Sequence, residues 1–395
     1  MLKIKNEASA VEIIDSLVAT AVKMRASDIH LETIDSGLKV RFRIDGMLQE
    51  LVRFPPDLQN ALLSRIKIMA DLDIAQKRMP QDGRLAIRNM ENLDIRVSTL
   101  PTIYGEKIVL RILDKNAQNL SLEELQFSTD NFRKLRNFCN CAHGMILATG
   151  PTGSGKTTTL HAILSELNDE SINAVTIEDP VEYRLSGVNQ IQVNNKAGLT
   201  FAGGLRAILR QDPNIIMVGE IRDRETAEIA IRSALTGHLV LSSLHTTDAV
   251  GALPRLLDMG VERFLVCSAV LGVIAQRLVR RICPKCKSAY KLTKDSPEDL
   301  FLRTNGFDTT TEFVLYRGLG CEHCHNTGYT GRMSVQEVLC ITPEIRGALM
   351  QGMAGQDIEL IACQQGFANM RTDGIYKALS GATTLSEVIR IAYGL

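Results

Sequence analysis

Residues 145–160 read MILATGPTGSGKTTTL, and the order of residue types in that stretch decides the fold. Met145 to Ala148 are apolar and strand-like, Gly150 to Thr157 follow with the spacing G-x-x-x-x-G-K-T, and helix-permissive residues come next. A strand that passes through a glycine-rich turn into a helix is the setting a phosphate-binding loop requires. Gly150, Gly153 and Gly155 allow positive φ, so successive N–H groups can turn inward toward phosphate oxygens. The first turn of the helix adds unpaired N–H groups at the positive end of its dipole. The nucleotide-binding stretch is therefore expected to comprise Gly150, Pro151, Thr152, Gly153, Ser154, Gly155, Lys156, Thr157 and Thr158. Lys156 is expected to reach the β- and γ-phosphates of ATP, and the Thr157 hydroxyl to ligate Mg²⁺.

Bulk composition sets the frame around that loop. A length of 395 residues favours two or three domains, and 45% hydrophobic with 23% charged residues is ordinary for a globular chain with sizeable cores. Lys plus Arg and Asp plus Glu both number 45, so no global basic footprint for nucleic acid exists, and aromatic residues at 5% offer few stacking platforms for bases. No run approaches the roughly 18 apolar residues of a membrane span. The opening MLKIKNEASA lacks the apolar core of a signal peptide. A cytoplasmic location is expected, with the nine cysteines reduced or metal-bound.

Working outward, residues 8–24 carry an apolar helical stripe, 38–44 alternate as a half-buried strand, Asp45-Gly46 signals a hairpin and 47–52 run back. Residues 56–70 are helical in period, and LAIR, LDIRVSTL and KIVLRIL read as three strands between 84 and 113. Residues 1–114 thus form a smaller α+β domain, followed by a polar linker at 115–131 with one short helix near Leu122 to Leu125. Strands are expected at 145–148, 174–177, 188–193, 215–218 and 239–243, alternating with helices at 156–167, 200–210, 224–235 and 249–258. That alternation specifies a doubly wound α/β core over 132–282, with the phosphate site at the carboxyl ends of its strands. Past Val261 the chain reads as mostly helical, interrupted by a tetracysteine subdomain at 283–330 and closing in a helical region at 331–395.

Hydrolysis needs more than a phosphate cradle. Ile215 to Val218 followed by Gly219-Glu220 is a buried strand ending in an acid, where Mg²⁺ or its waters are held. Glu178, Asp179 and Glu182 crowd another strand end, either to meet a cation or as a solvated turn. His238 and His245 bracket the strand LVLSSL; His245 falls at the catalytic end, suited to hydrogen bonding near the γ-phosphate, and His238 at the start, where a core role is equally open. Arg41, Arg43, Arg84, Arg96 and Arg111 lie in or beside strands of the first domain, as a solvated face or as groups that reach a phosphate. Cys283-Pro-Lys-Cys286 and Cys321-Glu-His-Cys324 are two C-x-x-C pairs that can complete a closed, structural S₄ site for Zn²⁺, with His323 and His325 as substitute ligands.

Together these residues resemble the secretion and pilus-assembly ATPases, the motors of type II secretion and type IV pili. The likeness runs along nearly the whole chain: ASDIHLE (26–32), RFRIDG (41–46), QDGR (81–84), RVSTLPTIYGEKIVLRIL (96–113), GPTGSGKTTTL (150–160), TIEDPVEY (176–183), LRAILRQDPNIIMVGEIRD (205–223), LTGHLVLSSLHTTDA (235–249), AQRLVRRICPKC (275–286) and GRMSVQEVL (331–339). The resemblance implies a RecA-like P-loop ATPase domain after a smaller α+β domain, with a tetracysteine insertion. It puts the acidic box on Glu178, Asp179 and Glu182, the Walker B acid on Glu220, the histidine box on His238 and His245, and nucleotide-approaching arginines on Arg96, Arg111, Arg210 and Arg222. Glu178 or Glu182 would polarise the attacking water. It further implies a homohexamer with ATP between the two domains, acting from the cytoplasm on an inner-membrane platform protein, with a cytoplasmic-domain adaptor as a further contact. Relatives often begin with one or two more amino-terminal domains, whereas this chain starts almost at the second. The tetracysteine segment favours extension over retraction, and SAVLGVIAQRLVRR (268–281) looks closer to type II secretion than to pilus assembly. A type IV pilus extension motor, a nucleic-acid motor and a non-hydrolysing scaffold are the competing readings.

Overall fold

The computed structural model describes residues 9–85, 87, 90, 92–114, 120–310 and 313–393. The chain divides into two compact units, Met1–Gln118 and Asn119–Leu395.

In the first unit helix α1 (Ala10–Lys23) starts at a Ser9–Glu12 capping box, which satisfies two otherwise orphaned backbone donors. Strands β1 (Ala26–Ile34), β2 (Gly37–Ile44) and β3 (Met47–Phe54) follow, then α2 (Pro56–Met69), β4 (Gln81–Leu85), β5 (Leu93–Thr102) and β6 (Gly105–Asp114). They form an antiparallel sheet in the order β3-β2-β1-β6-β5-β4. The expected hairpin is present: Ile44 pairs with Met47, and Asp45 and Gly46 take φ of 48° and 86°, the two positive values a tight hairpin turn demands. Ile13, Leu17, Leu62 and Ile66 of the helices pack with Ile29, Leu31, Val40, Phe42, Ile108 and Leu110 of the sheet. The alternate strand residues, including Asp28, His30, Glu32, Arg41, Arg43 and Lys107, occupy the other face. Strand β1 escaped the sequence reading. The strand expected at LAIR is shifted: β4 ends at Leu85, and Ala86 and Arg88 lie outside the described residues.

The second unit contains α3 (Thr129–Cys139), β7 (Gly144–Thr149), α4 (Lys156–Leu167), β8 (Ala174–Glu178), β9 (Asn189–Gln192), α5 (Phe201–Ile208), β10 (Ile215–Val218), α6 (Arg224–Leu235) and β11 (Leu239–Leu244). Each strand except edge strand β9 is buried along its whole length, as expected of parallel strands covered on both faces. Alternate residues serve alternate layers: Met145 and Leu147 face one helical layer, Ile146 and Ala148 the other.

Helices α7 (Ala252–Asp258) and α8 (Arg263–Ala269) lead into β12 (Val270–Ile282). After β13 (Lys287–Lys291), α9 (Pro297–Thr304) and β14 (Val314–Gly318) comes β15 (Tyr329–Cys340), and then α10 (Pro343–Gln351), α11 (Gly355–Gln364), α12 (Met370–Leu379) and α13 (Leu385–Ala392). The seven-stranded sheet runs β15-β12-β7-β11-β10-β8-β9, parallel throughout except at β12–β15. Two expectations are corrected here. The stretch past Val261 is not mostly helical, because β12 and β15 are long sheet strands, and the helical end of the chain begins at Pro343. Residues 122–125 form a turn, not a helix, and its Leu122 and Leu125 are buried in the core beside α3 and α4. No helix among the described residues is long and apolar enough to cross a membrane.

Candidate nucleotide site and metal centre

The phosphate loop leaves the carboxyl end of β7, an interior strand, so the loop opens between the helical layers at a point where the strand order reverses. Gly150, Gly153 and Gly155 have φ of 145°, 78° and 91°. A Cβ on Gly150 would lie 2.5 Å from the Gln276 carbonyl oxygen and 2.6 Å from Ser154 Oγ, so both shape and backbone exclude a side chain there. Lys156, the first residue of α4, is buried, and its Nζ donates to the carbonyls of Gly150 at 2.8 Å and Pro151 at 3.1 Å. Burial lowers its pKa and the charge of Glu220 opposes that shift. Thr157 and Thr158 are half-buried, and the buried Ser154 hydroxyl has no protein partner. A lysine folded back on loop carbonyls and an unsatisfied hydroxyl in a nest of glycines fit a loop that accepts a polyphosphate.

Glu220, just beyond β10, is brought together with two other expected residues. Its Oε1 accepts from an Arg222 guanidinium nitrogen at 2.6 Å and its Oε2 lies 3.3 Å from His245 Nε2. Burial raises the Glu220 pKa, but the bonds and charges of Arg222 and His245 outweigh it and leave it below the ordinary value. Thr149 at the end of β7 holds the loop after β11: its Oγ1 lies 2.7 Å from Thr246 Oγ1 and accepts the Thr246 N–H at 2.9 Å.

The acidic box separates into two kinds of carboxylate. Glu178 is 2% exposed. Its Oε1 accepts from Thr176 Oγ1 at 2.7 Å and Gln190 Nε2 at 3.0 Å, while Oε2 lies 3.2 Å from His161 Nε2 on α4. Burial pushes its pKa up, yet these three partners bring it below the usual range. Asp179 and Glu182 are exposed. His238 lies at the opposite end of β11, with Nδ1 3.0 Å from the Ser233 carbonyl oxygen. Arg210 is exposed at the end of α5 and donates to the Arg206 carbonyl at 2.9 Å, outside the hydrogen-bonded Glu220 cluster.

In the first unit the arginines form a row. Register places Arg43, Asp28, Arg111, Arg96 and Arg84 side by side across β2, β1, β6, β5 and β4 on one face. Asp28 lies 3.1 Å from Arg111 Nε and 3.7 Å from Arg43 Nε, and Arg96 Nε is 4.0 Å from Asp94.

The four expected cysteine ligands converge, with all sulfurs within 4.8 Å of one another. Cys283–Cys321 and Cys286–Cys324 are each 3.8 Å apart and Cys321–Cys324 3.7 Å. A tetrahedron with Zn–S of about 2.3 Å has edges of about 3.8 Å, so the donor set fits zinc. The backbone N–H groups of Cys321 and Gly328 donate to Cys324 Sγ at 3.2 and 3.3 Å, the support a thiolate needs.

Gln276, which sequence reasoning passed over, follows the apolar residues Val273, Ile274 and Ala275 and shares their strand with Arg277 and Leu278. Its Nε2 donates to the Ser154 carbonyl at 2.7 Å and its Oε1 accepts from Thr159 Oγ1 at 2.8 Å, so β12 grips both the loop and the helix behind it. A polar residue at a position otherwise patterned for the core was the available signal.

A glycine-rich phosphate loop on an interior strand of a parallel sheet, with an acid at the end of a second strand, defines a RecA-like P-loop ATPase. The chain belongs to the type II/IV secretion system protein family, whose sequence profile matches residues 3–390. It is 49% identical over 394 residues to a putative type II secretion system protein E of Escherichia coli, covering 99% of this chain and 78% of that protein. It is 46% identical over 394 residues to the type II secretion system ATPase E of Vibrio cholerae, covering 99% and 77%. Among solved structures, the pilus retraction motor PilT with bound ADP superimposes with a TM-score of 0.62 at 25% identity, covering 98% of this chain and 97% of that one. The ATPase DotB of Legionella pneumophila does so with 0.71 at 20% identity, covering 100% and 99%, a likeness of fold.

Proposed function

We propose that this protein is the ATP-hydrolysing motor of a type II secretion system. It works from the cytoplasm as a homohexamer peripherally attached to the inner membrane, and drives the platform protein that extrudes pilin-like subunits. A cytoplasmic-domain adaptor is a further partner. The observation that carries the reading is the convergence of the Gly150–Thr158 loop with Gln276 and of Glu220 with Arg222 and His245, in a chain nearly half identical to type II secretion proteins.

Lys156 exchanges its two loop carbonyls for phosphate oxygens, and Thr157 and Glu220 are the residues that would hold Mg²⁺. Bound there, Mg²⁺ supplies charge neutralisation on the phosphates. Glu182 is the carboxylate that polarises the attacking water, because both oxygens of Glu178 are already committed to protein partners. Glu178 instead holds β8 to α4 through His161. Arg96 and Arg111 of the first unit and Arg210 and Arg222 of the second offset charge that builds on the transferred phosphoryl group, with His245 steadying Glu220. The four cysteines hold a structural Zn²⁺.

The test is Mg²⁺-dependent phosphate release by the purified hexamer with platform protein and lipid supplied. Turnover is expected, and Lys156→Ala is expected to abolish it while the circular dichroism spectrum and melting temperature stay unchanged. A wild-type hexamer that binds ATP and releases no phosphate would overturn the reading, and DNA-stimulated turnover would move it to a nucleic-acid motor.

A further inference from the structure

Gln276 has a counterpart. In the antiparallel register of β12 and β15 it stands directly opposite Gln336, so both side chains lie on one face of the sheet, among residues such as Ile274 and Val338 that build the core. Gln276 is 1% exposed and Gln336 0%. A buried amide is costly unless every polar atom is matched, and here both are matched. Gln276 spends its two groups on the phosphate loop and α4. Gln336 Nε2 donates to Ser334 Oγ at 2.6 Å and to the Leu125 carbonyl at 3.1 Å, and the Ser334 hydroxyl donates to that same carbonyl at 2.9 Å. Its Oε1 accepts from Lys377 Nζ at 3.2 Å, and its backbone N–H donates to Asp373 on α12 at 2.9 Å.

Leu125 lies in the turn at 122–125, whose two leucines are buried, a few residues past the boundary where the chain leaves the first unit. One member of the glutamine pair therefore grips the phosphate loop, and its register neighbour grips the segment that follows the first unit. Substitution of Lys156 contacts by phosphate is a change in the loop that Gln276 is placed to feel, because Ser154 and Thr159 flank Lys156 in sequence.

We propose that Gln276 and Gln336 are a pair of positioning residues that couple occupancy of the phosphate loop to the Leu122–Leu125 turn during ATP turnover. The inference rests on the ATPase reading above. The side chains that hold the phosphate loop and the turn stand opposite each other on two directly paired strands, so a shift of that strand pair reaches both. Neither glutamine touches the reacting atoms; each acts through the backbone it holds.

Hydrogen exchange of the full-length wild-type hexamer, with and without Mg²⁺ and the non-hydrolysable analogue AMP-PNP, is the first measurement. Slower exchange is expected in two places, at 150–158 and at 120–127. Gln336→Met keeps the volume and removes the bonds to Leu125 and Ser334. It is expected to keep KM for ATP within about threefold and lower kcat about tenfold or more, with protection at 120–127 lost and protection at 150–158 retained. Gln276→Glu, which sets a carboxylate against the Ser154 carbonyl, is expected to raise KM as well as lower kcat. Nucleotide-induced protection at 150–158 without any change at 120–127 in the wild type overturns the coupling, and so does a folded Gln336→Met with wild-type kcat. Absence of protection at 150–158 itself overturns the nucleotide reading instead. The wild-type comparison decides the matter even where a glutamine variant fails to fold.

Discussion

Glu178 and Glu182 lie four positions apart in one acidic motif, and their chemistry differs because of what each touches. From the sequence they are interchangeable candidates; the partner that separates them, His161, is 17 positions away on another element, and no local pattern announces it. Glu178 accepts from two neutral donors and faces an imidazole nitrogen, while Glu182 keeps its carboxylate at the surface. Glu182→Gln is therefore expected to lower kcat by a factor of about 10² to 10⁴, the usual worth of a positioned general base, with no change in melting temperature. Glu178→Gln removes the charge that the Thr176 and Gln190 donors and the His161 ring face, and sets an amide N–H₂ against one of them. It is expected to cost about 1–3 kcal/mol of stability in urea unfolding, the scale of an unsatisfied buried polar group. Equal losses of kcat with unchanged stability in both variants would contradict the division. The shape of the glycine-rich loop was legible because it is local: Gly150, Gly153 and Gly155 take the positive φ expected of them, and Lys156 bonds carbonyls five and six positions away.

At the scale of elements, the strands that were legible are those whose burial on both faces leaves one apolar run, such as β7, β10 and β11. Strand β12 was not, because VLGVIAQRLVRRI mixes leucine, alanine, glutamine and arginine in a pattern equally compatible with a buried helix. Its place between β7 and β15 decides the matter, and that pairing joins residues far apart in sequence. The same strand pair carries Glu337, whose two oxygens accept the backbone N–H groups of Ala249 at 2.6 Å and Met370 at 2.8 Å. Burial pushes its pKa up to about 7 from an ordinary 4.5, and the two N–H groups only partly oppose that. A folded-state pKa above the unfolded one means the folded state binds the proton more tightly. The resulting stability is full below the unfolded value and lost as pH rises through about 7. The loss amounts to about 3 kcal/mol. Urea unfolding of wild type and Glu337→Gln from about pH 5 to pH 8 is expected to show the wild type falling relative to the variant, and parallel curves would refute it. The tetracysteine element has a different anchor. Cys283 and Cys286 precede β13, and Cys321 and Cys324 follow β14, a two-stranded sheet too small to be stable alone. Chelation is expected to release about one zinc per chain and speed hydrogen exchange across 283–328, with 145–160 unaffected. Release of much less than one zinc would refute the S₄ site.

The residues proposed to bind the nucleotide and two of those proposed to neutralise charge belong to different units. Every residue of the phosphate loop, with Glu220, Arg222, His245 and Gln276, belongs to the unit Asn119–Leu395, whereas Arg96 and Arg111 belong to Met1–Gln118. The first unit has its own core, built from residues 13 to 110 on two helices and a sheet, and is large enough to fold alone. Its arginine row is a surface under electrostatic load. Arg84, Arg96 and Arg111 are successive register neighbours, and like charges directly opposite one another destabilise a sheet. Asp28 and Asp94 offset part of that repulsion, and an anion such as a nucleotide phosphate would offset more. The arrangement was only partly legible: alternation placed several arginines on strands, while the common row depends on register set by pairings from β1 to β4. Residues 1–118 expressed alone are expected to unfold in one cooperative transition. Residues 119–395 alone are expected to bind a fluorescent ATP analogue but release phosphate at least about a hundredfold more slowly than the full chain, because the arginines are missing. Arg96→Ala with Arg111→Ala in the full chain should reproduce that loss in kcat with little change in nucleotide affinity. Turnover by residues 119–395 at the full-length rate would remove the first unit from the chemistry and leave its arginine row as a solvated face.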